Sequence, residues 1–178
     1  MTCYAFKDDK PRIHESVFTA PTAQIIGNVS IGAESSVWFQ TVIRGDMEKI
    51  TIGEQTNIQD LCMCHADEGI PLNVGNRVTV GHRCIIHGCT IEDGCLIGMG
   101  AVIMNRASIG RGSVIAAGSV ILEGSQIPPY SLVAGSPGRI KKTYRKREEI
   151  EASIREMSEI YMENARAFQS DTFYKITD

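Results

Sequence analysis

No apolar run in this 178-residue chain approaches the roughly 20 residues needed to cross a bilayer; the longest mostly apolar stretch, Ser113 to Leu122, is about half that length. A membrane span is therefore not expected. An excess of charge of either sign is also missing. The 18 Lys+Arg nearly balance 21 Asp+Glu, for a net of -3, so no global basic field is available to hold a nucleic acid or an anionic membrane. No export signal is expected, because charge arrives at Lys7. The expectation is a cytoplasmic protein whose six cysteines stay reduced. Cys62-x-Cys64-His65 resembles half a zinc ribbon, but no second Cys-x-Cys or Cys-x-x-Cys accompanies it. Helix breakers are absent from Arg145 to Asp178, where neither Gly nor Pro occurs.

The residues in surplus are glycine, at 17, and aliphatics spaced by six. Ile91, Ile97, Ile103, Ile109, Ile115, Ile121, Ile127 and Val133 run in unbroken register. The same spacing holds at Ile31, Val37 and Ile43, at Ile52, Ile58 and Cys64, and at Val74, Val80 and Ile86, with the phase slipping only between groups. A six-residue unit is too short for a helix pair. It suits a short strand and a Gly-tolerant corner, with the anchor and the residue four places on pointing inward. Three units close a triangular coil of about 18 residues, and the coils stack as an all-β parallel β-helix. Cys62, Cys64, Cys84 and Cys95 all fall in inward slots, as filling for the prism rather than ligands.

After the repeat, Ile150, Ile154, Met157, Tyr161, Ala165 and Phe168 step by three or four. That spacing predicts one amphipathic α-helix of about six turns, with its apolar stripe along the prism wall or a neighbour's. The chain thus divides into a prism over 1–140 and a C-terminal helix and tail over 141–178 packing on it, with Pro137-Gly138 at the joint. The basic run Lys141, Lys142, Arg145, Lys146 and Arg147 reads as a solvated helix start.

Three of the four histidines, His65, His82 and His87, fall close together; His14 lies outside the repeat. His65 follows anchor Cys64 and His87 follows anchor Ile86, both in the outward slot three units apart, so they stack on one corner. Their chain separation of 22 exceeds one coil by four, and Ala66 to Asn73 is expected to bulge out beside His65. His82 sits one corner earlier, and the five residues to His87 can span up to about 16 Å. Zinc ligands must all lie about 2.0 to 2.1 Å from the metal. A single prism cannot meet that demand with all three. A three-fold assembly can, by packing His82 of one subunit against His65 and His87 of the next. Three histidines leave a fourth position open, the catalytic type of zinc site, and cobalt or ferrous iron suits the same set. Arg44 and Gln59 occupy outward slots beside Ile43 and Ile58. For Arg44 the favoured role is a charge-assisted pair with an Asp carboxylate across subunits; for Gln59 it is orienting a bound water and its substrate.

Val42-Ile-Arg44-Gly-Asp46, Thr56-Asn-Ile-Gln59-Asp60, His65, Val80-Gly-His82-x4-His87-Gly, Ile97-Gly-Met-Gly-Ala101 and Val133-Ala-Gly-Ser-Pro-Gly138 together resemble the γ-class carbonic anhydrases, in particular their short bacterial relatives, over about residues 10 to 170. The resemblance implies a left-handed β-helix, a homotrimer with metal between subunits, and His65 and His87 from one chain with His82 from the next. It implies that Arg44 and Asp46 pair at the interface and that Gln59 hydrogen-bonds near the metal-bound water. Arg44, Asp46 and Gln59 are thus the expected catalytic surroundings of a zinc, cobalt or ferrous centre that hydrates carbon dioxide to bicarbonate through metal-bound hydroxide. The long acidic loop of the archaeal enzymes is short here, with Asp67 and Glu68 its only carboxylates. Two other functions compete. One is a hexapeptide acyltransferase with a single histidine base; the other is a non-catalytic trimeric metal-binding scaffold.

Overall fold

The computed structural model describes residues 2–170 and 173. Short strands stack into three flat walls around a closed, left-handed parallel β-helix, followed by one helix, as the six-residue repeat and the family resemblance led us to expect. The first wall stacks Phe18–Thr19, Ser36–Val37, Asn57–Ile58, Thr79–Val80, Leu96–Ile97, Val114–Ile115 and Ser131–Ala134. The second runs through the starts of the long strands Gln24–Ile31 and Val42–Ile52, then Met63–His65, Ile85–His87, Val102–Ile103 and Val120–Ile121. The third takes the ends of those two long strands, then Leu72–Val74, Thr90–Ile91, Ser108–Ile109 and Gln126–Ile127. Each anchor lies on its counterpart one coil away, as Cys64, Ile86 and Ile103 do in the second wall. All three are fully buried. Burying each isoleucine contributes about 1.5–3 kcal/mol, the main force closing the prism.

The phase slips in the sequence have structural causes. Ile43 and Ile52 are nine residues apart because Val42–Ile52 runs on across a corner with extra residues, and the pairing register against Gln24–Ile31 shifts there. Cys64 and Val74 are ten apart because Asp67 and Ile70 close a small hairpin outside the coil. Ile86 and Ile91 are only five apart, and the shortened corner turns at Gly88 with φ +46°. A Cβ there would lie 2.4 Å from the Asn105 side-chain oxygen, so glycine is what lets Asn105 reach in beside His87.

The outer faces of the walls differ. The first is covered by the helix Arg147–Gln169, which buries Ile154, Ser158 and Ala165. Ser158 Oγ donates to the Gln55 carbonyl at 2.7 Å, and Trp38 meets Tyr161 and Phe168 edge-on. The third wall's outer column is polar: Arg12, Ser30, Thr51, Asn73, Thr90, Ser108 and Gln126. The second wall's column is apolar and uncovered: Val42, Met63, Ile85, Val102 and Val120, with Met63 and Ile85 exposed.

The helix begins two residues later than the absence of Gly and Pro suggested, and the strand Arg139–Thr143 crosses the expected boundary at 140 to pair antiparallel with Ser131–Ala134. Of the expected tail beyond Ser170, only Phe173 lies within the described residues, against Phe168 and Phe39. No described helix is long and apolar enough to cross a membrane. The cysteines in inward slots are buried, and desolvation pushes the thiols of Cys64 and Cys95 up to about 12.

The corner between the first and second walls separates two uses of glycine. Gln40, Leu61 and Arg83 hold positive φ there, as do Gly100 and Gly118, so that position accepts a side chain at a modest cost. Gly98 is different, because a Cβ would sit 2.5 Å from the Ala117 backbone nitrogen of the next coil. Gly118→Ala is expected to cost about 1 kcal/mol and Gly98→Ala about 1–3 kcal/mol. Equal urea midpoints for the two variants would refute the distinction.

Candidate metal centre

His65 and His87 end the neighbouring strands Met63–His65 and Ile85–His87, paired in register, with Arg44 in the same column one coil before. Strand alternation turns all three outward at the corner between the second and third walls. His65 Nδ1 and His87 Nε2 approach to 2.9 Å. The other nitrogen of each ring is occupied by an acceptor. His65 Nε2 donates to Asp46 Oδ1 at 3.0 Å, and His87 Nδ1 donates to Asn105 Oδ1 at 2.6 Å. With both rings neutral, those partners select tautomers in which the two facing nitrogens each present a lone pair. Two converging lone pairs repel unless a cation lies between them. The donor set therefore fits a divalent transition metal, held by rings oriented from behind.

Asp46 is in turn held by Arg44, whose guanidinium bonds Oδ2, leaving Oδ1 for His65. Desolvation opposes ionisation of Asp46, but the hydrogen bonds from Arg44 and His65 outweigh it and hold the carboxyl below its ordinary range. The Arg44–Asp46 pair forms here within one chain.

Asp67, at the mouth of the hairpin, completes a tight group. Its Oδ2 accepts from Asn105 Nδ2 at 2.8 Å, its Oδ1 lies 3.8 Å from His87 Nε2, and the donor atoms of His65, Asp67 and His87 all fall within 4.8 Å of one another. The Asn105 hydrogen bond holds its carboxyl below the ordinary range.

His82 does not join this group. It sits at the opposite edge of the second wall, where its Nδ1 lies 2.9 Å from Asp60 Oδ2 and its Nε2 lies 3.5 Å from the Tyr161 hydroxyl. The phenol's pKa is raised, chiefly by burial and then by the nearby Asp60 charge. Gln59, next to Asp60, is buried on the outer face of the first wall. Its Nε2 donates to Asn57 Oδ1 at 3.1 Å, and Asn57 Nδ2 donates to Thr79 Oγ1 at 2.9 Å. One chain therefore brings together Arg44, Asp46, His65 and His87, while His82 meets Asp60 and Tyr161, and Gln59 bonds Asn57.

Sequence reasoning gave Asn105 and Tyr161 no part in the site and Asp60 no role, although the register could have found two of them. Asn105 lies one 18-residue coil beyond His87, and Asp60 lies one lengthened coil before His82, paired like Asn57 with Thr79. Tyr161 could not be placed, because the sequence does not say which wall the helix covers.

The prism with histidines at two of its corners defines a hexapeptide-repeat protein with a candidate metal centre, and residues 88–123 match the bacterial transferase hexapeptide (six repeats) family. A protein of Methanocaldococcus jannaschii described as "Probable carbonic anhydrase" is 46% identical over 158 residues, covering 89% of this chain and 98% of its own. The chain belongs to the γ-class carbonic anhydrase-like hexapeptide-repeat family. The "Carbonic anhydrase" of Geobacillus kaustophilus is 43% identical over 76 residues, covering 43% of this chain and 42% of that one. Among solved structures, a hexapeptide transferase family protein from Anaplasma phagocytophilum superposes with a TM-score of 0.89 at 35% identity, covering 94% of this chain and 98% of its own.

Proposed function

We propose that the protein is a γ-carbonic anhydrase-like metalloenzyme that hydrates carbon dioxide reversibly at sites shared between the subunits of a homotrimer. One observation carries this reading: the exposed apolar second wall is bounded by His82 on one edge and by His65 and His87 on the other. Leu61 and Met99 continue its apolar surface at the His82 corner, and Met104 and Leu122 at the opposite corner. An uncovered apolar wall between polar rims fits an interface. Three such walls packed around a three-fold axis set His82 of each chain beside the His65–His87 pair of the next.

A cation bound there supplies Lewis acidity, lowering the pKa of a water from about 15.7 towards about 7. Zinc, cobalt and ferrous iron all suit the donor set. Asp46 and Asn105 hold the rings of His65 and His87 with their lone pairs inward, and Asp60 does the same for His82. Gln59 uses Nε2 for its bond to Asn57, and its Oε1 would accept a hydrogen bond from the attacking water and orient it. Gln59→Ala should then lower kcat/KM about 10–100-fold with metal content unchanged, since an outer partner supplies no ligand. Stopped-flow hydration on zinc-, cobalt- and anaerobically iron-loaded protein tests the activity. Hydration absent with every metal ends the anhydrase reading.

The half-buried His82–Asp60 pair supports a second reading, because a histidine oriented by a carboxylate is also the general base of acyl transfer. It predicts acyl-CoA turnover that His82→Ala abolishes and that removing metal leaves intact.

A further inference from the structure

Asp67 is one of the two carboxylates of the short loop beside His65. A proton relay there would swing between the site and solvent, whereas Asp67 is held at its carboxylate by Asn105 and at its backbone by the hairpin. Asn105 donates to its Oδ2 at 2.8 Å while holding the His87 ring with its own oxygen. The hairpin carrying Asp67 is closed by the antiparallel bridge to Ile70. Its tip is tied to the long strand Val42–Ile52, because Gly69 N–H donates to Glu48 Oε2 at 3.0 Å. The free oxygen, Oδ1, faces His87 Nε2 at 3.8 Å. Four ligands about 2.0–2.2 Å from a zinc ion in tetrahedral array lie roughly 3.3–3.6 Å from one another. Small shifts bring His65 Nδ1, His87 Nε2 and Asp67 Oδ1 to that spacing.

We propose that Asp67 is a metal ligand rather than a relay, so that each chain holds a divalent transition cation with its own His65, His87 and Asp67, while a neighbour's His82 joins as a fourth protein ligand and a fifth position stays open to water. This rests on the metal site proposed above, though not on the reaction. Two histidines and one carboxylate form a set that favours ferrous iron and also accepts zinc or cobalt. Single chains then load metal, and assembly tightens it.

Cobalt(II) titrations followed by absorbance on wild type, His82→Ala, Asp67→Asn and the double variant test this. Asp67→Asn keeps an acceptor for Asn105, so the hairpin is retained. His82→Ala should still take up one cobalt per chain, more weakly than wild type. Adding Asp67→Asn should weaken that uptake by more than about 100-fold, beyond the 10–100-fold that a supporting partner costs. A smaller loss overturns Asp67 as a ligand while leaving the shared site standing. Failure of wild type to take up cobalt, zinc or ferrous iron overturns the metal centre itself and this proposal with it.

Discussion

Mixing His82→Ala chains with His87→Ala chains should restore hydration and chelator-resistant metal that neither variant has alone. In a ring of three, each site takes His65 and His87 from one chain and His82 from the next. Any mixed trimer then contains one junction where an intact His65–His87 pair meets an intact His82, so each mixed trimer regains about one third of its sites and a randomised equal mixture about one quarter of the wild-type level. The fold motivates this outcome, because His82 stands one wall away from the other two in its own chain. The test needs subunit exchange under mild denaturant, a check by mass spectrometry that mixed trimers form, and dialysis against a chelator to remove cobalt held by one chain alone. Mixed trimers that demonstrably form yet regain nothing would sink the shared site.

The sequence carried the prism and the histidine register because both follow from one period. Once Ile91 to Val133 fix six residues per strand, every other residue has a wall and a direction, and the stacking of His65 under His87 follows by counting. Residues outside the period were out of reach. Asp67 belongs to a hairpin whose closure by Asp67 and Ile70 no repeat specifies. Glu48 and Gly69 meet only because two separate insertions lie on neighbouring coils. Gln59 was given an outward slot, and in this fold the first wall's outer face carries the helix and Gln59 is buried. The Asp partner anticipated for Arg44 across an interface is found in its own chain at Asp46, two residues on and on the same face of the strand.

Ile85 and Ile86 are adjacent in sequence and opposite in destination, so truncating each should separate the two forces that build the assembly. Ile86 is fully buried between Cys64 and Ile103, and Ile86→Ala leaves a cavity that the stacked coils above and below cannot fill without shifting. The expected cost is about 2–5 kcal/mol, read as a lower urea midpoint at unchanged slope. Because His87 rides on the same strand, the Nδ1–Nε2 geometry with His65 should loosen and metal affinity fall in parallel. Ile85 is 43% exposed on the apolar second wall. Ile85→Ala should change single-chain stability by no more than about 0.5 kcal/mol, as for other surface positions. It should instead weaken association, so that sedimentation at falling concentration shows dissociation earlier than in wild type. Unfolding must be compared at one chain concentration, since assembly itself stabilises the folded chain. If Ile85→Ala leaves association untouched while Ile86→Ala destabilises as expected, the second wall is not the interface. The three histidines would then have to converge through some other packing of the prisms.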